Sequence, residues 1–103
     1  MRYTVSVVFE KKGLMKYISH LDLLRLMGRA LRRADLPFEA SKGFSSHPQI
    51  IFKRALKLGV QSNDEQVTFY LTRGLPNDEF KARLQAHLPE GIFLKSTNCH
   101  ELP

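Results

Sequence analysis

Tyr3, Val5, Val7 and Phe9 alternate with Thr4, Ser6 and Glu10, and much further along Val67, Phe69 and Leu71 alternate with Thr68, Tyr70 and Thr72. Period two with β-branched and aromatic residues predicts strands that are apolar on one side only. Such strands must share a sheet, and the apolar face of that sheet must be covered by something else. The chain supplies the cover as two helical stripes. Ser19 with Asp22 three places on forms a capping-box pattern, followed by Leu21, Leu24, Met27, Leu31 and Ala34 at spacings of three and four. This predicts a helix over 20–34, stopped by Asp35 and Pro37. Asn77 or Asp78 caps a second helix carrying Phe80, Leu84 and Leu88, closed by Pro89 and Gly91.

Shorter segments complete the order. Residues 37–41 and 49–52 read as strands separated by a loop over 43–48, 61–65 as a polar turn, 66–73 as a strand, and 92–95 as a last strand. With 37–41 and 49–52 counted as one interrupted strand, the sequence of elements is β, α, β, β, α, β. Two helices on one face of a four-stranded antiparallel sheet satisfy every apolar side with right-handed crossovers. This is an α+β, ferredoxin-like βαββαβ sandwich in a single domain. Its other sheet face would carry Thr4, Ser6, Thr68, Tyr70 and Phe93, open to a partner.

The charge is uneven. Met1 to Gly59 holds twelve Lys or Arg against four Asp or Glu, whereas the rest holds four against six, which together give the formal net charge of +6. A one-sided positive field favours polyanions, although a solvated basic surface explains it equally. Arg25, Arg29 and Arg32 or Arg33 share one helix face, at a spacing suited to successive phosphates. His20 sits in the first turn, where the helix dipole favours its neutral form. The loop contributes Lys42, Gly43, Phe44, Ser45, Ser46, His47 and Pro48. Its glycine, hydroxyls and lysine suit a phosphate cradle, and an ordinary edge-strand turn accounts for it as well.

Several chemistries are disfavoured. His20, His47, His87, Cys99 and His100 have no zinc-finger spacing, so no metal site is expected. One cysteine, Cys99, can neither form an internal disulfide nor hold an iron–sulfur cluster. Walker, dinucleotide and Gly-x-Ser-x-Gly motifs are missing from the sequence. No apolar run approaches the roughly 20 residues that span a bilayer, and a cytoplasmic protein is the expectation.

The phrase YISHLDLLRLMGRALRRADLPFEASKGFSSHPQIIF, followed by ALKLGVQS, resembles the radical-SAM-linked family of unknown function. That family shows a Ser-His-Leu-Asp helix start, an Arg-Arg helix end, a Gly-Phe-x-Pro-His-Pro loop and an Ala-Leu-Pro-Leu-Gly-Val-Glu-Ser phrase. Here Ser46 replaces the loop proline, Lys57 the second proline and Gln61 the glutamate. Family members are usually longer, so the chain would correspond to their first half. The resemblance implies Ser19, His20, Asp22, Ser41, Gly43, Phe44, His47, Pro48 and Ser62 as the positions to watch. It also implies a radical SAM protein as partner, with the iron–sulfur cluster and SAM held there and no cofactor in this chain.

Three functions follow as expectations. The first is a non-catalytic module that binds tRNA or rRNA and presents it to the radical SAM partner, using His20, Arg25, Arg29, Arg32, Arg33, Ser41, Lys42, Gly43, Phe44 and His47. The second is an adaptor docking on that partner through the open sheet face. The third is an acid–base enzyme using His20, Asp22 and His47.

Overall fold

The computed structural model describes residues 2–40, 48–55 and 57–102. Four strands form one sheet: β1 (Tyr3–Lys11), β2 (Ile50–Phe52), β3 (Ser62–Leu71) and β4 (Ile92–Glu101). Two helices, α1 (His20–Arg33) and α2 (Asn77–Gln85), follow β1 and β3, and a short 3-10 helix, Gly13–Tyr17, precedes α1. The sheet order is β2-β3-β1-β4 with antiparallel neighbours throughout, the ferredoxin-like arrangement.

β1 and β3 form the middle of the sheet, and both alternate buried with outward residues. Val5, Val7 and Phe9 are fully buried, as are Phe69 and Leu71 on β3 and Ile92 on β4. Tyr3 pairs with Leu71 on one side and Glu101 on the other. A register shift opposite Val8 and Phe9 lets β4 run far beyond the predicted 92–95 without misplacing its side chains. Ile92 and Leu94 face the core before the shift, and Thr97 and Cys99 take the same side after it. The helices close the core with Leu23, Met27, Ala30, Leu31 and Ala34 from α1 and Phe80 and Leu84 from α2. The leucine, methionine and phenylalanine side chains each contribute about 1.5–3 kcal/mol by leaving water, and the alanines less.

The structure corrects four local readings. The buried stripe of α1 runs through Leu23, Met27 and Ala30, while Leu21 is 53% exposed. Leu21 sits about 200° round the helix from Leu23, nearly opposite the core. Residues 61–65 are mostly strand, because Glu65 continues the inward parity of Val67, Phe69 and Leu71. The segment 37–41 forms no strand among its described residues. It makes single bridges, Phe38 to Leu71 and Ala40 to Pro48. Neither Asn77 nor Asp78 caps α2. Pro76 stands at the cap position, and the Asn77 side chain serves β4 instead.

That service protects an exposed strand edge. β4 pairs only with β1, so its outer backbone groups need partners. Asn77 Oδ1 accepts from Cys99 N at 2.8 Å, Gln85 Nε2 donates to the Ile92 carbonyl at 2.9 Å, and Gln85 Oε1 accepts from Leu94 N at 2.7 Å. Lys81 Nζ donates to the Lys95 carbonyl at 3.1 Å. Gly91 immediately precedes β4 at φ +101, with its α-carbon so close to the Lys12 carbonyl that a Cβ there would lie 2.5 Å from that oxygen. Glycine is required on both counts.

α1 ends in a Schellman motif. The Leu36 amide donates to the Leu31 carbonyl and the Asp35 amide to the Arg32 carbonyl, with Asp35 at φ 55 and Leu36 buried. Arg83 of α2 donates to the Ala34 and Asp35 carbonyls at 2.7 and 2.8 Å. The two helices are thereby joined at the end of α1 that carries the arginines.

Candidate functional site

The helix start is built as the sequence indicates. Ser19 caps α1, its hydroxyl accepting from the Asp22 amide at 3.1 Å. Asp22 also faces Arg25 at 3.7 Å, a fully exposed pair that contributes little to stability. Beyond this cap the outward face of α1 presents Leu21, Leu24, Arg25, Gly28, Arg29 and Arg32. Together with Pro48 and Ile50 they line a groove of about 520 Å³. Gly28 forms part of its floor. A Cβ there would touch the Pro48 ring at an ordinary 3.8 Å, so the groove is shaped by the missing side chain and by the proline opposite.

Arg25, Arg29 and Arg32 are exposed on the helix. Relative to Arg25, the other two lie about 6 and about 10 Å further along the axis. Arg32 is braced, its guanidinium 5.6 Å over the Phe38 ring. Among the described residues, neither Arg29 nor Arg33 is paired with a carboxylate. Arg33 points to the other flank of α1, towards Leu26, His87 and Pro89. Arg25, Arg29 and Arg32 thus share the groove, and Arg29 also joins Arg33 on the neighbouring flank.

Other flagged positions lie elsewhere. His20 packs edge-on against Phe52 with ring centroids 5.0 Å apart, and Phe52 in turn meets Phe9 at 6.1 Å. Its imidazole is thus seated on the rim of the core. Ser41, Lys42, Gly43, Phe44 and His47 lie outside the described residues, so the distance between His20 and His47 stays unassigned. The described neighbours of that loop are informative: Ala40 bridges Pro48, and Pro48 packs at Gly28.

Ser62 belongs to a different cavity, of about 240 Å³, with Lys11, Arg54, Lys57, Val60, Gln61 and Glu65. Sequence reading passed over its two central residues. Lys11 is only 1% exposed and donates from Nζ to the Lys57 carbonyl at 2.8 Å. Glu65 is 5% exposed and accepts from Arg54 through both oxygens, at 2.9 and 3.2 Å. Desolvation pushes the Lys11 pKa below the ordinary lysine range, and the Glu65 charge opposes that push. Strand parity would have found both, since Lys11 continues Val5, Val7 and Phe9, and Glu65 precedes Val67. The same segment meets the 3-10 helix. The Gly59 amide donates to the Lys16 carbonyl, and the Gly13 amide to Gln61 Oε1 at 3.3 Å. The phrases ISHLD and ALKLGVQS are thus tied together through the turn that leads into α1.

A pH effect follows. With its folded pKa depressed, Lys11 binds fewer protons in the folded than in the unfolded chain between the lowered value and the ordinary one. Stability contributed by this group therefore rises with pH across that window. Glu65→Gln removes the charge that holds the Lys11 pKa up, so the window opens at lower pH. Side-chain NMR of Lys11 across a pH titration is expected to show a lower midpoint in Glu65→Gln than in the parent protein. An unchanged midpoint would mean that Glu65 does not sense the ammonium.

Among the described residues no three His, Cys, Asp or Glu side chains gather to hold a metal ion, and no helix is long and apolar enough to cross a membrane. No curated protein matches the chain. A family model covers residues 4–103, nearly the whole sequence and all four strands. The chain belongs to the family described as an uncharacterized protein conserved in bacteria (DUF2344).

Proposed function

We propose that the protein is a non-catalytic recognition module of the cytoplasm that binds tRNA or rRNA through the arginine face of α1 and presents it to a radical SAM partner. The single observation that carries this reading is the row of Arg25, Arg29 and Arg32 along a groove shared with Gly28, Pro48 and Ile50. Guanidiniums fork two N–H groups toward one phosphate, and their delocalised charge is lightly hydrated, so they suit backbone contacts. The basic first half of the chain adds a long-range field of the right sign. Lys42 and His47 would add specific contacts from the loop. The radical SAM partner rests on the sequence resemblance, and the cluster and SAM would be held by that partner.

The adaptor reading draws on one feature of the opposite sheet face: Ile51 and Phe93 are 49% and 47% exposed there. Tyr70, also on that face, is covered by Arg2 at 5.4 Å from its ring. The acid–base reading has less support, because His20 is engaged by Phe52. Titrating the protein with unstructured RNA between about 50 and 200 mM salt tests the leading reading. The logarithm of affinity should fall linearly with the logarithm of salt, by about 0.7 per phosphate contact on a single strand. Affinity indifferent to salt would contradict it.

A further inference from the structure

We infer that the groove beside the arginine row is a seat for an unstacked nucleobase, so that the RNA taken at this site is single-stranded. This rests on the RNA reading above and names the form of RNA. A phosphate ladder alone needs only cations on a convex surface, and a duplex would satisfy it. Here, among the described residues, the arginines line a depression together with apolar groups: Leu21, Leu24, Pro48 and Ile50 beside the bare Cα of Gly28. Leu21 is a large aliphatic side chain held 53% exposed at the lip. Its exposure serves no packing need of the core, which is complete without it.

The geometry separates the two halves of a nucleotide. The three guanidiniums stand along the helix at intervals of about 6 and about 4.5 Å, along which the phosphates of an extended strand can run. The apolar depression lies immediately beside them, where a base turned away from its backbone would lodge. A-form duplexes cannot offer this, because their bases are stacked and their major groove is too deep and narrow for side chains to read. Loops, bulges and single strands can, and they are the RNA forms from which bases are splayed onto proteins. Arg32 supplies a planar partner, since its guanidinium is held over Phe38 and can stack on a base or meet a phosphate.

Gly28 allows the seat to be filled without touching the charges. Its Cβ position is 3.8 Å from Pro48, so Gly28→Leu can direct its side chain into the groove. Fluorescence anisotropy with an unstructured RNA 12-mer and a self-complementary duplex of equal length is the test. The parent protein is expected to prefer the single strand by about tenfold, the size of one lost base contact. Gly28→Leu should abolish that preference while keeping the salt slope. Leu21→Ser, a change at an exposed position that leaves the core alone, should weaken single-strand binding severalfold and serves if Gly28→Leu does not fold. Equal affinity for both RNAs, unaltered by either substitution, would overturn the base seat and leave the RNA reading standing. No salt-dependent binding to either RNA would overturn the RNA reading itself. Displacement of the RNA by an acidic, leucine-bearing peptide of matching affinity would overturn the proposal and reassign the groove to a protein.

Discussion

Replacing Arg25, Arg29 and Arg32 together by alanine is expected to weaken RNA binding on the order of a hundredfold. Each exposed guanidinium–phosphate contact contributes about 1 kcal/mol near physiological salt, and three such contacts multiply to that factor. The salt slope should also shrink by about two, since three phosphate contacts on a single strand release about 0.7 counterion each. The substitutions remove three positive charges from a formal total of +6, so the long-range field falls as well. The fold should survive. All three side chains are exposed, the Arg25 pair with Asp22 is a surface contact, and the core stripe lies on the opposite side of α1. Anisotropy titrations at two salt concentrations, with a melting curve as control, measure each quantity. An affinity within about twofold of the parent would place the RNA elsewhere, or nowhere, on this molecule.

Phe80→Ala is the substitution expected to cost the fold most. Phe80 is fully buried, its ring 5.6 Å from that of Phe69 on β3. Truncating such a ring costs about 3–5 kcal/mol, a large part of the 5–15 kcal/mol that holds a domain of this size. The consequence extends past the cavity. Only Phe80 and Leu84 bury α2, and α2 carries Asn77, Lys81 and Gln85, which satisfy the outer edge of β4. Loosening α2 uncovers that edge, so aggregation should accompany the loss. It also withdraws Arg83 from the end of α1. Denaturant titration is expected to show a loss of several kcal/mol, and heating a midpoint lower by on the order of 10–30 °C. A loss below about 1 kcal/mol would mean that α2 does not fold cooperatively with the sheet.

The architecture was legible because alternation in β1 and β3 is nearly free of conflict. A strand with one apolar side has few ways to bury it, and two helical stripes in the right order left the ferredoxin-like sheet as the economical solution. Detail failed where two local signals competed. On α1, the series Leu21, Leu24, Met27, Leu31, Ala34 and the series Leu23, Met27, Ala30, Ala34 both step by three or four. The second keeps closer to 3.6 residues per turn and stays on one side for the whole helix, whereas the first drifts. Residues 61–65 looked like a turn because they are polar, yet their parity already placed Glu65 inward. Ion pairing with Arg54 makes that burial tolerable, a long-range partner that no local pattern discloses. The site was half visible. Helical spacing grouped the arginines, but the groove depends on Gly28 meeting Pro48, and a glycine in a helix interior gives no hint of what it faces. Helical spacing left Arg32 and Arg33 as alternatives on that face; Arg32 lines the groove, and Arg33 lies on the other flank, which Arg29 shares.

The central claim is that RNA meets the outward face of α1. Amide chemical shifts of the uniformly labelled protein, followed as an unstructured RNA 12-mer is added, test it most directly. The account predicts that the shifted resonances cluster on 21–33 and 48–52, with the sheet face bearing Ser6, Tyr70 and Phe93 left quiet. Shifts centred on that sheet face, with α1 unmoved, would contradict it.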